Sequence, residues 1–218
     1  MIEEILFAIA VYLVCETVIM GIAWCINLLS HEQRKKKCKE WLVNVDLTSD
    51  DRTLIERNRE LLRKLFPDGN IGHSMKEMSR EDRVRLMLKL TEEAARNYDV
   101  EVDSVKIAPG SEMGYGCYGF YSYRENMIVF NQDMVCCDNP DVLREIVDTV
   151  FHELRHAQQY RAVTDSDYEF GSQEQKQRWA LNYVEGNYIP ADVDFELYQK
   201  QTIEEDARAV AAATMMDF

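Results

Sequence analysis

The chain has 218 residues, of which 39 are Asp or Glu and 25 are Lys or Arg, and its net charge at neutral pH is -14. Because an acidic surface repels phosphate backbones, this charge argues against a nucleic-acid partner. Hydrophobic residues make up 46% and charged residues 29%, which excludes a disordered or fibrous protein. The six cysteines show neither a disulfide-framework spacing nor a CxxC pair, so we predict free thiols in a reducing compartment.

The most apolar part of the chain is residues 5–29, in which Glu16 is the only charged residue. As a helix, this segment would be about 37 Å long, enough to cross the ~30 Å hydrocarbon core of a membrane. Basic residues follow at 34–39, so the positive-inside rule predicts a single-pass anchor with the rest of the chain in the cytoplasm. The alternative is a soluble cytoplasmic protein in which this helix packs on protein and buries Glu16.

Three regions are therefore predicted: an N-terminal transmembrane or buried apolar helix (1–30), a basic juxtamembrane linker (31–47) and a folded domain (48–218). Capping residues, hydrophobic periodicity and aromatic runs predict alternating helices and short strands in the folded domain. In chain order these are helices from Thr48 or Ser49 to Phe66 and from Ser79, strands at 105–108, 117–123 and 127–131, and helices from Asn139, around 173–185 and at about 202–216. The second and third strands should form a β-hairpin.

The helix that begins at Asn139 contains the sequence HELRH, in which His152, Glu153 and His156 form an HExxH motif. Residues i and i+4 lie on one face of a helix, so both imidazoles can reach one Zn²⁺ ion. Glu153 then lies beside the metal, where its carboxylate can accept a proton from a water whose pKa the ion lowers to about 7. The motif predicts metal-assisted hydrolysis with two histidine ligands and Glu153 as general base.

A third protein ligand is needed, and no histidine follows His156 in the chain. We therefore expect a carboxylate, and the last helix offers Glu204 on the same face as Ala207 and Ala211. These small side chains would let the last helix approach the motif helix closely. Glu205 is the nearest alternative, and a less regular stretch offers weaker ones: Glu185, Asp192, Asp194 and Glu196.

The sequence HELRHAQQ, together with the later EEDARA, resembles the minimal gluzincin-type zinc metallopeptidases over about residues 80–216. The resemblance implies a zincin-like domain of the α+β class, with helices, a small mixed sheet and a β-hairpin edge. It implies that Glu204 completes the zinc site and that Met127–Asn131 binds extended substrate as an added strand. In better-known gluzincins an Asp four residues after the ligand Glu supports a ligand histidine. That position is Arg208 here, so Asp148 becomes the candidate for this role.

The sequence thus predicts a zinc-dependent peptidase that acts on a peptide or protein substrate. The candidates for stabilising the oxyanion are Tyr160, Tyr183, Tyr198 and Arg208. The alternative is a membrane-tethered, non-catalytic zinc-binding or scaffold protein with a metallopeptidase-like domain. Retention of Glu153 favours the enzyme, because zinc binding alone does not need a general base. The other two histidines, His31 and His73, lie in polar stretches and are expected to be solvent-exposed.

Overall fold

The computed structural model describes residues 47–114 and 116–218. The predicted apolar helix, nearly all of the predicted basic linker and His31 lie outside the described residues. Among the residues that are described, no helix is both long and apolar enough to cross a membrane.

The described residues form an α+β structure of eight helices and three strands, as predicted for the coarse fold class. The helices are α1 (Ser49–Leu65), α2 (Ile71–Lys76), α3 (Arg80–Asn97), α4 (Gln132–Val135), α5 (Pro140–Thr164), α6 (Gln173–Asn182), α7 (Phe195–Gln199) and α8 (Thr202–Thr214). The strands are β1 (Ser104–Ala108), β2 (Gly119–Ser122) and β3 (Met127–Asn131). The long helices and all three strands match predicted elements, whereas the short helices α2, α4 and α7 were not predicted.

Three helices begin at predicted capping residues. The Thr48 side chain accepts a hydrogen bond from the Asp51 backbone N–H at the start of α1, and Asp51 completes a capping box. Ser79 caps α3 in the same way. Asn139 caps α5, with Pro140 in its first turn. These local signals fix where the three helices begin, while the apolar residues of α5 that pack in the core set the direction in which its HExxH motif faces.

The three strands form one mixed sheet in the order β1-β3-β2. β2 and β3 pair antiparallel as the predicted hairpin, with Tyr121 opposite Ile128. β1 pairs parallel with the other side of β3, with Val105 opposite Ile128. β3 is therefore the central strand, and β1 and β2 are the two edges of this sheet.

Helix α5 lies at the centre of the described structure and contacts α2, α3, α6, α8 and the sheet. Its apolar face is buried in one large core with side chains from α1, α3 and β3, and the α5 members are Leu143, Ile146, Val147, Val150, Phe151, Leu154 and Ala157. Because so many elements pack against α5, its position is fixed from several sides. His152 and His156, at the two ends of the HExxH motif, therefore lie on a helix that is well packed.

Candidate metal centre

The HExxH motif lies on α5 facing the first turn of α8. Ala207 and Ala211 of α8 are completely buried, and α8 packs directly on α5. This matches the expectation that small side chains would permit a close approach of the two helices. As a result the carboxylate of Glu204 reaches the two imidazoles of the motif.

The ligand atoms of His152, His156 and Glu204 all lie within 4.8 Å of one another. The two Nε2 atoms are 3.0 Å apart. Glu204 Oε2 lies 3.3 Å from His152 Nε2, and Glu204 Oε1 lies 3.4 Å from His156 Nε2. The sequence-predicted ligands are therefore brought together, with two imidazole nitrogens and one carboxylate directed at a common point.

This donor set fits a divalent cation. Two imidazoles and one carboxylate are a common set of protein ligands for zinc and related metals. Glu204 is 1% exposed, and its buried Oε2 accepts no hydrogen bond among the described residues. His152 Nε2 at 3.3 Å and Arg208 Nη1 at 3.6 Å are near this oxygen but form no hydrogen bond with it, so a metal ion would satisfy a buried carboxylate oxygen that is otherwise costly.

The electrostatics of the cluster reflect this concentration of ligands. Burial alone would raise the pKa of Glu204, but the facing imidazoles of His156 and His152 hold it well below its usual value. Burial opposes a charge on His156, yet the carboxylates of Glu204 and Glu153 outweigh that effect and raise its pKa to about 9. Without a metal, protons thus take part of the role of a cation, and a bound metal ion would displace them.

Glu153 lies beside the ligands, between α5 and the edge of the sheet. It is 6% exposed, and its Oε2 accepts a hydrogen bond of 2.9 Å from the backbone N–H of Tyr121 in β2. Burial raises the pKa of Glu153, against the opposing effect of the two imidazoles. The carboxylate is therefore oriented by the strand and held close to the metal ligands. We call His152, Glu153, His156 and Glu204 the metal cluster.

The strand that borders the site is β2 and not β3. Met127–Asn131 was predicted to be the substrate-binding edge, but this strand is hydrogen-bonded on both sides, by β1 and by β2. The prediction was wrong because β1 covers the side of β3 that a lone hairpin would leave free. The Tyr121 N–H points away from β3 toward Glu153, so the free edge of β2 faces the metal cluster.

Gly119 allows β2 to lie this close to α5. A Cβ at this position would be 2.9 Å from the carbonyl oxygen of Val129 and 3.0 Å from the Thr149 side chain on α5. Real Cβ atoms are almost never found at such distances from a backbone atom, so no larger residue fits without a shift of the strand.

An open cleft of about 720 Å³ adjoins the metal cluster. Its walls come from β2 and the turn after it, from the loop after α6 and from the start of α8, and its lining includes Phe120, Tyr121, Tyr123, Arg124, Glu153, His156, Tyr183, Tyr188, Tyr198 and Glu204. The size and the mixture of aromatic and polar side chains are typical of a ligand-binding cleft.

Tyr188 is a cleft residue that sequence reasoning missed. Its hydroxyl donates a hydrogen bond of 3.1 Å to Glu204 Oε1. Burial of the hydroxyl and the nearby charge of Glu204 raise the pKa of Tyr188, so the phenol stays protonated and can donate. The loop that carries Tyr188 has no helical or strand periodicity, and no local pattern identified this residue.

The four predicted oxyanion candidates occupy different places. Tyr183 donates its hydroxyl to the backbone carbonyl of His156, and Tyr160 packs against the ring of Tyr183 at 5.3 Å. Tyr198 lines the cleft beside Tyr188. Arg208 Nη1 lies 3.6 Å from Glu204 Oε2. Tyr188 and Tyr198 are thus the phenols that line the cleft and lie beside Glu204.

The alternative third ligands do not reach the histidines. In the described structure the metal-ligand group formed with His152 and His156 contains Glu204 alone among the proposed carboxylates. Glu205 is exposed on the next position of α8, and Glu185 lies in the cleft wall. Asp192, Asp194 and Glu196 are also exposed.

Nδ1 of His156, the ring nitrogen on the side away from Glu204, has a hydrogen-bond partner that the sequence did not predict. Its Nδ1 lies 2.9 Å from Oε1 of Gln159, one turn further along α5. Asp148, the predicted supporting carboxylate, interacts electrostatically with His152, and no hydrogen bond between the two is found among the described residues. Support of the ligand rings therefore comes at least in part from an amide.

A second polar cluster on α5 is fully buried. Arg155 forms two hydrogen bonds with Asp206 of α8, at 2.7 and 3.0 Å, and one of 2.7 Å with Gln158. Its Nη2 also lies 2.8 Å from Oδ1 of Asp51 in α1. Gln159 donates to Asp206 at 2.6 Å. We call Asp51, Arg155, Gln158, Gln159 and Asp206 the arginine cluster.

Comparisons of the chain with protein-family models, with curated proteins and with solved structures found no match.

Proposed function

We propose that this protein is a zinc-dependent peptidase with a zincin-like fold, which hydrolyses peptide bonds in an extended polypeptide. The observation that carries the proposal is the convergence of His152, His156 and Glu204 beside the buried carboxylate of Glu153, at the wall of an open cleft. Three protein ligands are typical of catalytic zinc sites, which keep a position for water or substrate, whereas structural zinc sites use four.

The chemistry divides between the ion and the chain. Zinc held by the three ligands would supply Lewis-acid chemistry, polarising the scissile carbonyl and making water a nucleophile at neutral pH. Glu153 takes a proton from the attacking water as the O–C bond forms, and it delivers that proton to the nitrogen as the C–N bond breaks. The products are a carboxylic acid and an amine, so atoms and protons balance.

The free edge of β2 supports an extended substrate. Its backbone faces the cleft beside Glu153, and an added strand would place successive peptide groups along this edge. The cleft supplies aromatic walls for the side chains of such a strand. Tyr188, whose hydroxyl lies beside a ligand, is the residue that we propose as hydrogen-bond donor to the developing oxyanion.

The proposal is tested by measuring bound zinc and peptide cleavage in the same preparations. We expect one zinc per chain and cleavage of a mixed peptide library, and we expect Glu153→Gln to keep the zinc and lower cleavage by about 10²–10⁴-fold. Glu204→Gln should lose the zinc, while Glu205→Gln, a change at the exposed neighbouring position, should keep both properties.

Two outcomes would contradict the proposal. Full cleavage activity of the zinc-loaded Glu153→Gln variant would show that Glu153 is not the general base. Stoichiometric zinc without cleavage of any peptide would instead support the non-catalytic zinc-binding protein that the sequence left as the alternative.

Tethering to a membrane is a separate part of the proposal, because residues 5–29 lie outside the described residues. We expect the full chain to fractionate with membranes and a chain that begins at residue 31 to be released. Recovery of both chains in the soluble fraction would argue against an anchor.

A further inference from the structure

We propose that Gln159 is a positioning residue that fixes which nitrogen of His156 faces the metal, and that Asp206, Arg155 and Asp51 hold Gln159 in the required orientation. The inference rests on the zinc site proposed above and extends it to residues that touch neither metal nor substrate. It depends on which atoms of each side chain can donate a hydrogen bond and which can only accept one.

The first step concerns Asp206. Arg155 donates to both of its carboxylate oxygens, at 2.7 and 3.0 Å, and the arginine is completely buried. A guanidinium group has donors only and remains charged in proteins. Asp206 is therefore held as an acceptor, in a fixed position on the first half of α8.

The second step concerns the amide of Gln159. Its Nε2 lies 2.6 Å from Oδ2 of Asp206 and 3.0 Å from the backbone carbonyl of Ile203. Both partners can only accept, so this end of the amide must be the NH₂ group. The reverse orientation would place the amide oxygen against two other acceptors in a buried site, which is strongly disfavoured. The oxygen of Gln159 must consequently point to the other side.

The third step concerns His156. The oxygen Oε1 of Gln159 lies 2.9 Å from Nδ1 of the ring. Because this oxygen is an acceptor, Nδ1 must carry a proton. Nε2 is then the nitrogen left for a metal, and it is the one that lies 3.4 Å from Glu204 Oε1, inside the metal cluster. The orientation of a neighbouring amide thus selects the ligand atom.

The last step concerns what holds Arg155. Its Nη2 lies 2.8 Å from Asp51 Oδ1, and the other oxygen of Asp51 accepts from the backbone N–H and the hydroxyl of Thr48. The first turn of α1 is therefore tied, through Arg155 and Asp206, to the amide that orients His156. Asp51 precedes the HExxH motif by about a hundred residues, and no sequence motif links the two.

The first experiment compares two adjacent buried glutamines in the full chain. Gln159→Met should weaken zinc binding by about 10–100-fold, the usual effect of losing a partner of a ligand histidine. Gln158→Met is the matched control, because Gln158 bonds Arg155 and the backbone of Tyr98 but does not contact His156. Its zinc affinity should stay within about threefold of that of the parent. Zinc dissociation constants are measured by competition with a chromophoric chelator.

The second experiment observes the ring itself, by ¹H–¹⁵N NMR of histidine-labelled, zinc-loaded chain. There are 4 histidines, so single substitutions assign every signal. We expect a slowly exchanging Nδ1–H and a zinc-shifted Nε2 for His156. A zinc-bound Nδ1, or a proton on Nε2, would overturn the inference even if the Gln159→Met variant failed to fold.

The outcomes separate this inference from the proposed function. If the parent binds no zinc, both fail together. If the parent binds zinc but Gln159→Met loses no more affinity than Gln158→Met, the positioning role fails while the zinc site stands.

Discussion

The metal cluster and the arginine cluster both include residues of α5, but they differ in how closely their buried carboxylates are paired with a guanidinium group. In the arginine cluster, Arg155 donates at 2.7–3.0 Å to Asp206 and Gln158 and also faces Asp51. In the metal cluster, the nitrogen and oxygen atoms approach one another at 3.0–3.4 Å, and Glu204 Oε2 is left without a donor. Within the described structure Asp51 Oδ1 and Glu204 Oε2 both lack a hydrogen bond, but Asp51 Oδ1 lies 2.8 Å from the Arg155 guanidinium, whereas Glu204 Oε2 lies 3.6 Å from that of Arg208.

This difference is a criterion for telling a structural cluster from a candidate metal site on a single helix. In a stable core, buried polar groups form hydrogen bonds or ion pairs with each other, because a buried polar group without a partner lowers the free energy of unfolding. A set of converging ligand atoms whose hydrogen bonds are incomplete can instead bind a cation, and we expect a bound metal ion to stabilise it further. The two clusters should therefore respond differently to substitution and to metal.

The largest effect is expected where the arginine cluster is broken. Arg155→Met would leave the carboxylates of Asp51 and Asp206 buried without their cation. We expect the free energy of unfolding to fall by about 3–5 kcal/mol, as when one partner of a buried ion pair is removed. Urea unfolding in the presence of a chelator measures it. A loss below about 1 kcal/mol would mean that this cluster is not structurally important.

The metal cluster should instead make the stability of the folded chain depend on the zinc concentration. Zinc at about a hundred times its dissociation constant should stabilise the folded chain by about 2.7 kcal/mol, because it binds the folded state. The Glu204→Gln variant should show almost no stabilisation. Thermal unfolding at several zinc concentrations provides the measurement, and equal stabilisation of both chains would place the metal elsewhere.

Tyr188→Phe removes one hydroxyl beside the metal cluster. We expect kcat to fall by roughly 10–100-fold with little change in KM, at the low end for an oxyanion donor because 42% of Tyr188 is exposed. Tyr123→Phe is the control, since Tyr123 lines the same cleft and does not contact Glu204 in the described structure. Equal effects of the two substitutions would argue against a catalytic role for the Tyr188 hydroxyl.

Asp148 provides a pH-dependent test beside the metal cluster. Burial, helped by the charge of Glu145, raises the pKa of Asp148 from 3.8 to about 7. The folded chain then binds this proton more tightly than the unfolded chain, so Asp148 lowers stability as pH rises from about 4 to 7. In chelator, Asp148→Asn should be more stable than the parent by about 1–2 kcal/mol at pH 8, since part of Asp148 remains accessible to water. At pH 4 the two chains should unfold alike.

The smallest effect is expected at a surface ion pair. Arg96 pairs with Glu92 on the exposed side of α3, where water competes for both charges. Arg96→Ala should change the free energy of unfolding by no more than about 0.5 kcal/mol. A change as large as that of Arg155→Met would show that burial is not what distinguishes the arginine cluster.

The parts of the fold that could be predicted from the sequence depend on local patterns. Asn139, Pro140 and the spacing of His152 and His156 are features of one helix, and they were sufficient to predict its start and its candidate metal-binding face. Glu204 could be predicted as a candidate ligand because Ala207 and Ala211 on the same helix face indicate a helix that packs closely against its neighbour.

The features that were missed depend on contacts between distant parts of the chain. The position of β3 in the sheet depends on its parallel pairing with β1, which a hairpin pattern does not reveal. Arg155 occupies an unspecified position of the HExxH motif, and a lone arginine in a sequence suggests a surface position. Its burial follows only from Asp51 and Asp206, which approach it through folding.

Gly119 limits how closely the edge strand β2 packs beside the proposed general base. A methyl group there would collide with the carbonyl oxygen of Val129 on β3 and with Thr149 on α5, so glycine is what allows β2 to lie at its present distance from both. The distance between the Glu153 carboxylate and the strand edge proposed to bind a polypeptide therefore depends on the absence of a Cβ at position 119. We expect alanine at this position to push β2 away from α5 and to lengthen the hydrogen bond from the Tyr121 N–H to Glu153, which would separate the proposed substrate edge from the proposed general base.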